Sequence, residues 1–332
     1  MLSTDTTNII HVQTENQRFI VSINSFNPSL CKSRDNNDTS CHCLNHKPNV
    51  CKEDNSNNRI EDKLKHIEYN KIIKDVYKKS VSVKIWADYT KKFIKSSIGI
   101  CPDDIVYVQG ICSDDVDAPK HRDNIGQYPS STNSFLGPFM SGGLSGYPFV
   151  GKMGLNACAS HVTKTGSLFI TSMAHIGISK DGIVGKINRL GGTKPSDTCG
   201  AIKASIDWVL NHSEPPDLDV FLNEGDYEFY KIIKILWSKR CELLRLSSFG
   251  DKMLRATEII RDSSKKYIKD NLAEAVCDYV NKPVVFCSGI FINVDYGYDA
   301  FIEINYFAIY YPICGTWEDK TDEYLCGMMN IC

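Results

Sequence analysis

Two runs of β-branched and aromatic residues, each followed by a possible metal ligand, constrain the fold of this 332-residue chain most strongly. The run Ile105–Ile111 is too short for a helix, so it predicts a buried strand that ends at Cys112. The run Ser167–Met173 predicts a second strand, which His175 leaves on the equivalent edge. Binding sites in open α/β sheets form at that edge.

A third candidate ligand, Cys199, comes just before a predicted helix. The segment Ile202–Leu210 has helical apolar spacing, with Ser196, Asp197 and Thr198 as candidate capping residues. We expect Cys199 in the first helical turn, where the positive end of the helix dipole favours a thiolate. Two cysteines and one histidine, with no fourth protein ligand, indicate a catalytic zinc site rather than a structural one.

The spacing of these three residues does not by itself decide between a metal site and ordinary core residues. The chain has 14 cysteines, so some lie near a histidine by chance. A buried free cysteine is also common as a small hydrophobic residue. No C-x-x-C pair, the usual element of structural zinc sites, occurs in the sequence.

Several short motifs follow one another in a specific order. They are Cys112 with Asp114, the G-x-P-F-x-G-K-x-G segment Gly146–Gly154, His175 with Gly177, and the Cys-Gly-Ala sequence that starts at Cys199. Over about residues 80–312 this series resembles the limiting-CO2-inducible B (LCIB-like) family, the theta-class carbonic anhydrases. An ordered series of motifs is far more specific than any one of them.

This resemblance implies an α/β fold, with a beta-carbonic-anhydrase-like sheet flanked by helices. It also implies that Cys112, His175 and Cys199 hold a zinc ion, and that the protein is a homodimer whose substrates are CO2 and bicarbonate. Zinc lowers the pKa of coordinated water to about 7, which allows attack on CO2 at neutral pH. Asp114 is then the expected catalytic residue, because its carboxylate is expected to accept a hydrogen bond from the zinc-bound hydroxyl group. Its alternative role is that of a turn residue after the strand.

One departure from the family pattern keeps a second function open. In related carbonic anhydrases an arginine a few residues beyond the aspartate pairs with it, but residues 116–118 here are Val, Asp and Ala. Either Arg122 or Arg189 is the partner, or Asp114 closes the metal site. The alternative function is therefore a non-catalytic zinc-containing scaffold or sensor that binds CO2 or bicarbonate. A third possibility is a disulfide switch between Cys112 and Cys199.

Two features around this site have both functional and structural interpretations. The glycines between residues 142 and 154 favour a loop that folds closely over a small pocket. Because imidazole as a group titrates near neutrality, His161 is a candidate proton relay, although a structural histidine is the simpler interpretation.

Composition excludes several classes of partner. A formal net charge of −2 argues against nucleic acid as a partner and against a polybasic membrane surface. The longest apolar stretches, such as residues 307–311, are far shorter than the roughly 20 residues of a membrane-spanning helix. No targeting signal is evident near the N-terminus. We therefore expect a cytoplasmic protein with reduced thiols.

The sequence predicts two regions. Residues 1–60 form an irregular, partly disordered leader, in which the cysteines and histidines between Cys31 and Cys51 match no zinc module. Residues 61–325 form the zinc-dependent carbonic-anhydrase-like domain. Within it we predict helices from about residue 226 to residue 281, then strands Val284–Val294 and Phe301–Tyr310.

Overall fold

The computed structural model describes residues 9–14, 17–22, 67–101, 104–112, 139–140, 142–148, 151–189, 191–276 and 279–330. The chain divides into two compact units, Met1–Asp54 and Asn55–Cys332. In the first unit, strands β1 (Ile9–Thr14) and β2 (Gln17–Ser22) form an antiparallel pair that the sequence analysis did not predict. The predicted boundary between residues 60 and 61 stays a prediction. The cysteines and histidines between residues 31 and 51 lie outside the described residues.

The second unit contains nine strands among its described residues. They are β3 (Val81–Ser82), β4 (Ile105–Gly110), β5 (Phe139–Met140), β6 (Ser167–Gly177), β7 (Lys186–Ile187), β8 (Ser196–Asp197), β9 (Val284–Asn293), β10 (Phe301–Tyr311) and β11 (Thr316–Asp319).

Nine α-helices accompany these strands in the described residues. They are α1 (67–76), α2 (Val83–Phe93), α3 (Gly151–Ala159), α4 (Gly200–Asn211), α5 (Leu218–Glu224), α6 (Tyr227–Trp237), α7 (Arg240–Arg245), α8 (Phe249–Val276) and α9 (Thr321–Met329). A π-helical segment, Ile94–Ile98, continues α2.

Seven of the strands form one mixed sheet in the order β11-β10-β9-β6-β4-β5, with β3 paired to β10. Strands β5, β4, β6 and β9 are parallel, whereas β10 is antiparallel to β9, β11 and β3. Every residue of β6 is buried, as expected for a parallel strand that is covered on both faces.

Alternate residues of β6 face two different helical layers. Phe169 and Met173 belong to a core with residues of α2 and α9, whereas Ala174 and Ile176 belong to a core with residues of α4, α6 and α8. This alternation follows from the period of two along a strand. The predicted fold class, an α/β sheet flanked by helices, is confirmed.

The strand predictions are largely confirmed, with one consequential difference. The predicted strand that ended at Met173 extends to Gly177, so His175 lies inside β6 instead of after it. The cause is β9, which pairs in parallel with β6 and places Phe291 opposite His175 and Asn293 opposite Gly177. The helices predicted for residues 226–281 are α6, α7 and α8, separated by short turns.

Among the helices that the structure describes, none combines the length and the apolar character needed to cross a lipid bilayer.

Candidate metal centre

The fold brings Cys112, His175 and Cys199 together. Their ligand atoms all lie within 4.8 Å of one another, and the three residues are buried, with relative exposures of 0%, 1% and 0%. Strand β4 pairs with β6 so that Gly110 lies opposite Ser172. Cys112 and His175 come soon after these two residues, and the pairing therefore brings them close together. In the described part of the chain this is the one group of at least three His, Cys, Asp or Glu residues that could hold a metal.

Cys199 lies just before the helix, and not in its first turn as predicted. It is the N-cap residue of α4 and not part of the first turn, and its φ of 55° and ψ of 67° are left-handed. Ser196 and Asp197, predicted as capping candidates, form β8 instead. A left-handed conformation is uncommon for a residue other than glycine, and such strain is often found at functional sites.

Hydrogen bonds connect this N-cap to the end of β6. The amide of Gly185 donates to the carbonyl of Gly177 at 2.7 Å, and the amide of Thr198 donates to the carbonyl of Gly185 at 2.9 Å. The residue before Cys199 is therefore connected through two main-chain hydrogen bonds to the strand that contains His175.

A buried serine contacts both cysteine sulfurs. The amide of Ser145 donates to Sγ of Cys112 at 3.1 Å, and its Oγ lies 3.3 Å from Sγ of Cys199. Ser145 is itself left-handed, with a φ of 60°, and its relative exposure is 0%. Hydrogen bonds to ligand atoms from residues beyond the donor set orient those atoms and adjust their basicity.

The glycines beside Ser145 allow its loop to pack directly on the two ligand-bearing strands. A Cβ at Gly142 would lie 2.1 Å from the carbonyl oxygen of Ile111, next to Cys112. A Cβ at Gly146, whose φ is +74°, would lie 2.0 Å from the carbonyl oxygen of Met173 in β6. The expected close approach of this loop is therefore seen at both positions, and any side chain there would displace it.

The two thiols have opposite pKa shifts. The pKa of Cys112 is raised, because its side chain is hydrogen-bonded to Cys199 and because it is buried. These two effects outweigh that of His175, which acts to lower the pKa of Cys112. Burial acts to raise the pKa of Cys199 too, but the hydrogen bond from Cys112 and the charge of His175 lower it well below the ordinary value. Zinc binds cysteine as the thiolate, so binding of one ion by both sulfurs would require both thiols to lose their protons.

The donor set suits a zinc ion in number, chemistry and spacing. Thiolate and imidazole are the ligands that zinc prefers in proteins, and a catalytic site uses three of them. Donor atoms around a tetrahedral zinc lie at most about 3.8 Å apart. Since the three ligand atoms already lie within 4.8 Å, shifts of about 1 Å are enough for them to bind one ion.

Other predicted site residues have different outcomes. Asp114 and Arg122 lie outside the described residues. Arg189 donates from Nε to Oγ of Ser196 at 2.9 Å and from Nη2 to the carbonyl of Asp197 at 3.3 Å. His161 is an exposed residue just after α3 and does not belong to the group of candidate metal ligands.

Ser145, and the contact that Glu228 makes with the loop of Ser145, were not predicted from the sequence. The glycines on either side of Ser145 were a signal that its backbone is unusual, but nothing indicated its contact with sulfur. Glu228 accepts a hydrogen bond from the amide of Leu144 at 3.0 Å. An acidic residue in the first turn of a helix indicates only a favourable helix dipole, so the sequence did not distinguish Glu228.

Residues 84–311 match the family model of the Limiting CO2-inducible proteins B/C beta carbonic anhydrases. This range includes Cys112, His175 and Cys199 as well as strands β4 to β10. No curated protein matches the sequence closely enough to serve as a relative.

Solved structures show the same fold at low sequence identity. The crystal structure of PtLCIB4, a homolog of the limiting CO2-inducible protein LCIB, has a TM-score of 0.62 and 20% identity, and the match covers 75% of this chain and 98% of that one. A histidine-to-alanine mutant of PtLCIB4 gives a TM-score of 0.63 and 20% identity, with coverage of 76% and 97%.

The close approach at Gly146 leads to a testable prediction. Both Gly146 and Gly191 have positive φ, but a Cβ at Gly191 would meet nothing within 4 Å. Gly191→Ala should therefore cost about 1 kcal/mol in the free energy of unfolding, whereas Gly146→Ala should cost about 3 kcal/mol or more. Urea unfolding measures both values. Equal losses in the two variants would contradict the packing of this loop on β6.

Proposed function

This chain belongs to the family of Limiting CO2-inducible proteins B/C beta carbonic anhydrases, and from that premise we propose that it catalyses the zinc-dependent, reversible hydration of CO2 to bicarbonate. The observation that carries the proposal is the buried Cys112, His175 and Cys199 group, whose ligand atoms lie within 4.8 Å of one another. CO2 and bicarbonate are the substrates that family membership implies.

The three residues would hold zinc with one coordination position left for solvent or substrate. Bound zinc would supply the Lewis acidity that makes water nucleophilic near neutral pH. The protein would contribute a fixed donor set, because Ser145 contacts both sulfurs and the N-cap position fixes Cys199 at the positive end of α4. The burial of all three ligands protects the set from bulk water.

The first prediction of this proposal concerns metal content. Purified wild-type protein should contain one zinc per chain under reducing conditions and hydrate CO2 in stopped-flow assays. Cys112→Ala, His175→Ala and Cys199→Ala should each lose the metal and the activity, because three ligands leave none to spare. Cys158→Ala is a matched control, since this cysteine is also buried but lies outside the donor group. Full zinc retention in Cys199→Ala would remove that residue from the assignment.

We assign Asp114 the catalytic role of orienting the attacking water. The support is its position two residues after Cys112, as in the family motif. Asp114→Ala should keep the zinc and lower the rate of CO2 hydration by roughly tenfold to a thousandfold, since a positioned polar group contributes that much. Asp115→Ala is the control.

The sign of the change in Asp114→Ala also tests the non-catalytic alternative. If Asp114 closes the metal site, its removal should raise activity from a low baseline. Unchanged hydration in a zinc-replete Asp114→Ala protein would contradict both roles. Absence of activity in zinc-replete wild-type protein would favour a scaffold or sensor that binds CO2 or bicarbonate. Purified protein without metal would favour the disulfide switch between Cys112 and Cys199.

The proposed assembly is a homodimer with a large, rather apolar interface. Light scattering of the zinc-bound protein at micromolar concentration should give twice the 37.3 kDa mass of one chain. A zinc-bound monomer under these conditions would contradict the dimer.

We propose the cytoplasm as the location of the protein, where exposed thiols such as Cys101 and Cys241 stay reduced.

A further inference from the structure

The loop 142–148 contacts the candidate metal centre on one side and a helix on the other. On the metal side, Ser145 contacts the sulfurs of Cys112 and Cys199. On the opposite side, Oε2 of Glu228 accepts a hydrogen bond from the amide of Leu144, the residue just before Ser145. One carboxylate is therefore a single residue away from the group that contacts both sulfurs.

The helix that carries Glu228 is well fixed. Tyr230, Ile233 and Leu236 of α6 are buried in the same core as Cys112 and Cys199. Helix α6 also packs against α4, whose N-cap is Cys199, and against the loop that contains Ser145. A side chain on such a rigid element can hold a neighbouring loop more accurately than a side chain on another loop.

The loop needs such an anchor because its conformation is strained. Ser145 has a φ of 60°, which costs roughly 1–2 kcal/mol in a residue other than glycine. Strained conformations persist only where the surrounding contacts determine them fully. The hydrogen bond to Glu228 satisfies the amide next to Ser145, and the close packing of Gly142 and Gly146 on the strands determines the rest.

We infer that Glu228 is a positioning residue of the metal centre: through the amide of Leu144 it holds Ser145 against the sulfurs of Cys112 and Cys199. This inference rests on the proposed zinc site. The competing role for Glu228 is a favourable interaction with the dipole of α6, whose first turn contains it. The two roles differ in what they require, since the hydrogen bond needs an acceptor of the correct length and the dipole needs only a negative charge.

Three substitutions separate these roles. Glu228→Gln keeps the length and an oxygen acceptor but removes the charge. Glu228→Asp keeps the charge but is one methylene shorter, and Glu228→Ala removes both. Asp251→Ala is the matched control, because Asp251 is an exposed acid in the first turn of α8. The whole set is measured on the full-length protein.

Two readouts besides activity are used. The affinity for Zn²⁺ and the sulfur-to-metal charge-transfer band with Co²⁺ as probe report the donor set. Amide hydrogen exchange of the metal-free protein at residues 142–148 reports the loop. We expect Glu228→Ala and Glu228→Asp to bind Zn²⁺ roughly 10- to 100-fold more weakly, with a shifted Co²⁺ band and faster loop exchange. Glu228→Gln and Asp251→Ala should match the wild type.

Four other outcomes would overturn the inference. Unchanged affinity, band and exchange in a folded Glu228→Ala protein would remove Glu228 from the metal centre. Faster loop exchange with unchanged metal binding would reduce it to a loop anchor, and a Glu228→Gln protein that resembles Glu228→Ala would favour the dipole. If Glu228→Ala does not fold, Glu228→Asp decides alone. Wild-type protein that binds no Zn²⁺ or Co²⁺ would overturn the proposed function and this inference with it.

Discussion

The parallel pairing of β4, β6 and β9 is the constraint on which the candidate metal centre depends. Cys112 lies two residues after the end of β4, and the register of β4 with β6, in which Gly110 is opposite Ser172, places it near His175. Strand β9 then pairs with β6 past Met173, so that His175 lies within a strand, opposite Phe291. A donor set assembled on such a ladder has little freedom to move, which suits a site that must bind one ion.

Two residues outside the parallel ladder complete the site at a cost in backbone strain. Cys199 and Ser145 are the described residues other than glycine that have positive φ, and Oγ of one lies 3.3 Å from Sγ of the other. Left-handed strain at both members of one contact indicates that the surrounding structure enforces it. Packing in the cores on both faces of the sheet therefore stabilises the left-handed conformations of Cys199 and Ser145. The strained residues lie at the candidate ligands.

The elements of the fold were predictable from sequence because their signals are local. The run Ile105–Ile111 predicted β4, and the runs near residues 284 and 301 predicted β9 and β10 within one residue at each end. The extension of β6 to Gly177 was not predictable, because it depends on pairing with β9, more than 100 residues away in the chain. Register between distant strands leaves little trace in the sequence of either one.

The candidate site was predictable in part for the same reason. Cys112, His175 and Cys199 are chemically distinctive residues that follow or precede predicted elements, so their pattern was visible in the sequence. The contact from Glu228 to Leu144 joins residues 84 positions apart, and the contact from Ser145 to Cys199 depends on a loop conformation. Neither has a sequence pattern of its own, and each required the tertiary structure.

X-ray absorption at the zinc edge of the purified, reduced protein would report the proposed donor set of Cys112, His175 and Cys199 without any substitution. We predict two sulfur scatterers at about 2.3 Å and nitrogen or oxygen scatterers at about 2.0–2.2 Å in a four-coordinate site. A shell of four sulfurs, a shell without sulfur, or a purified protein without zinc would contradict this prediction.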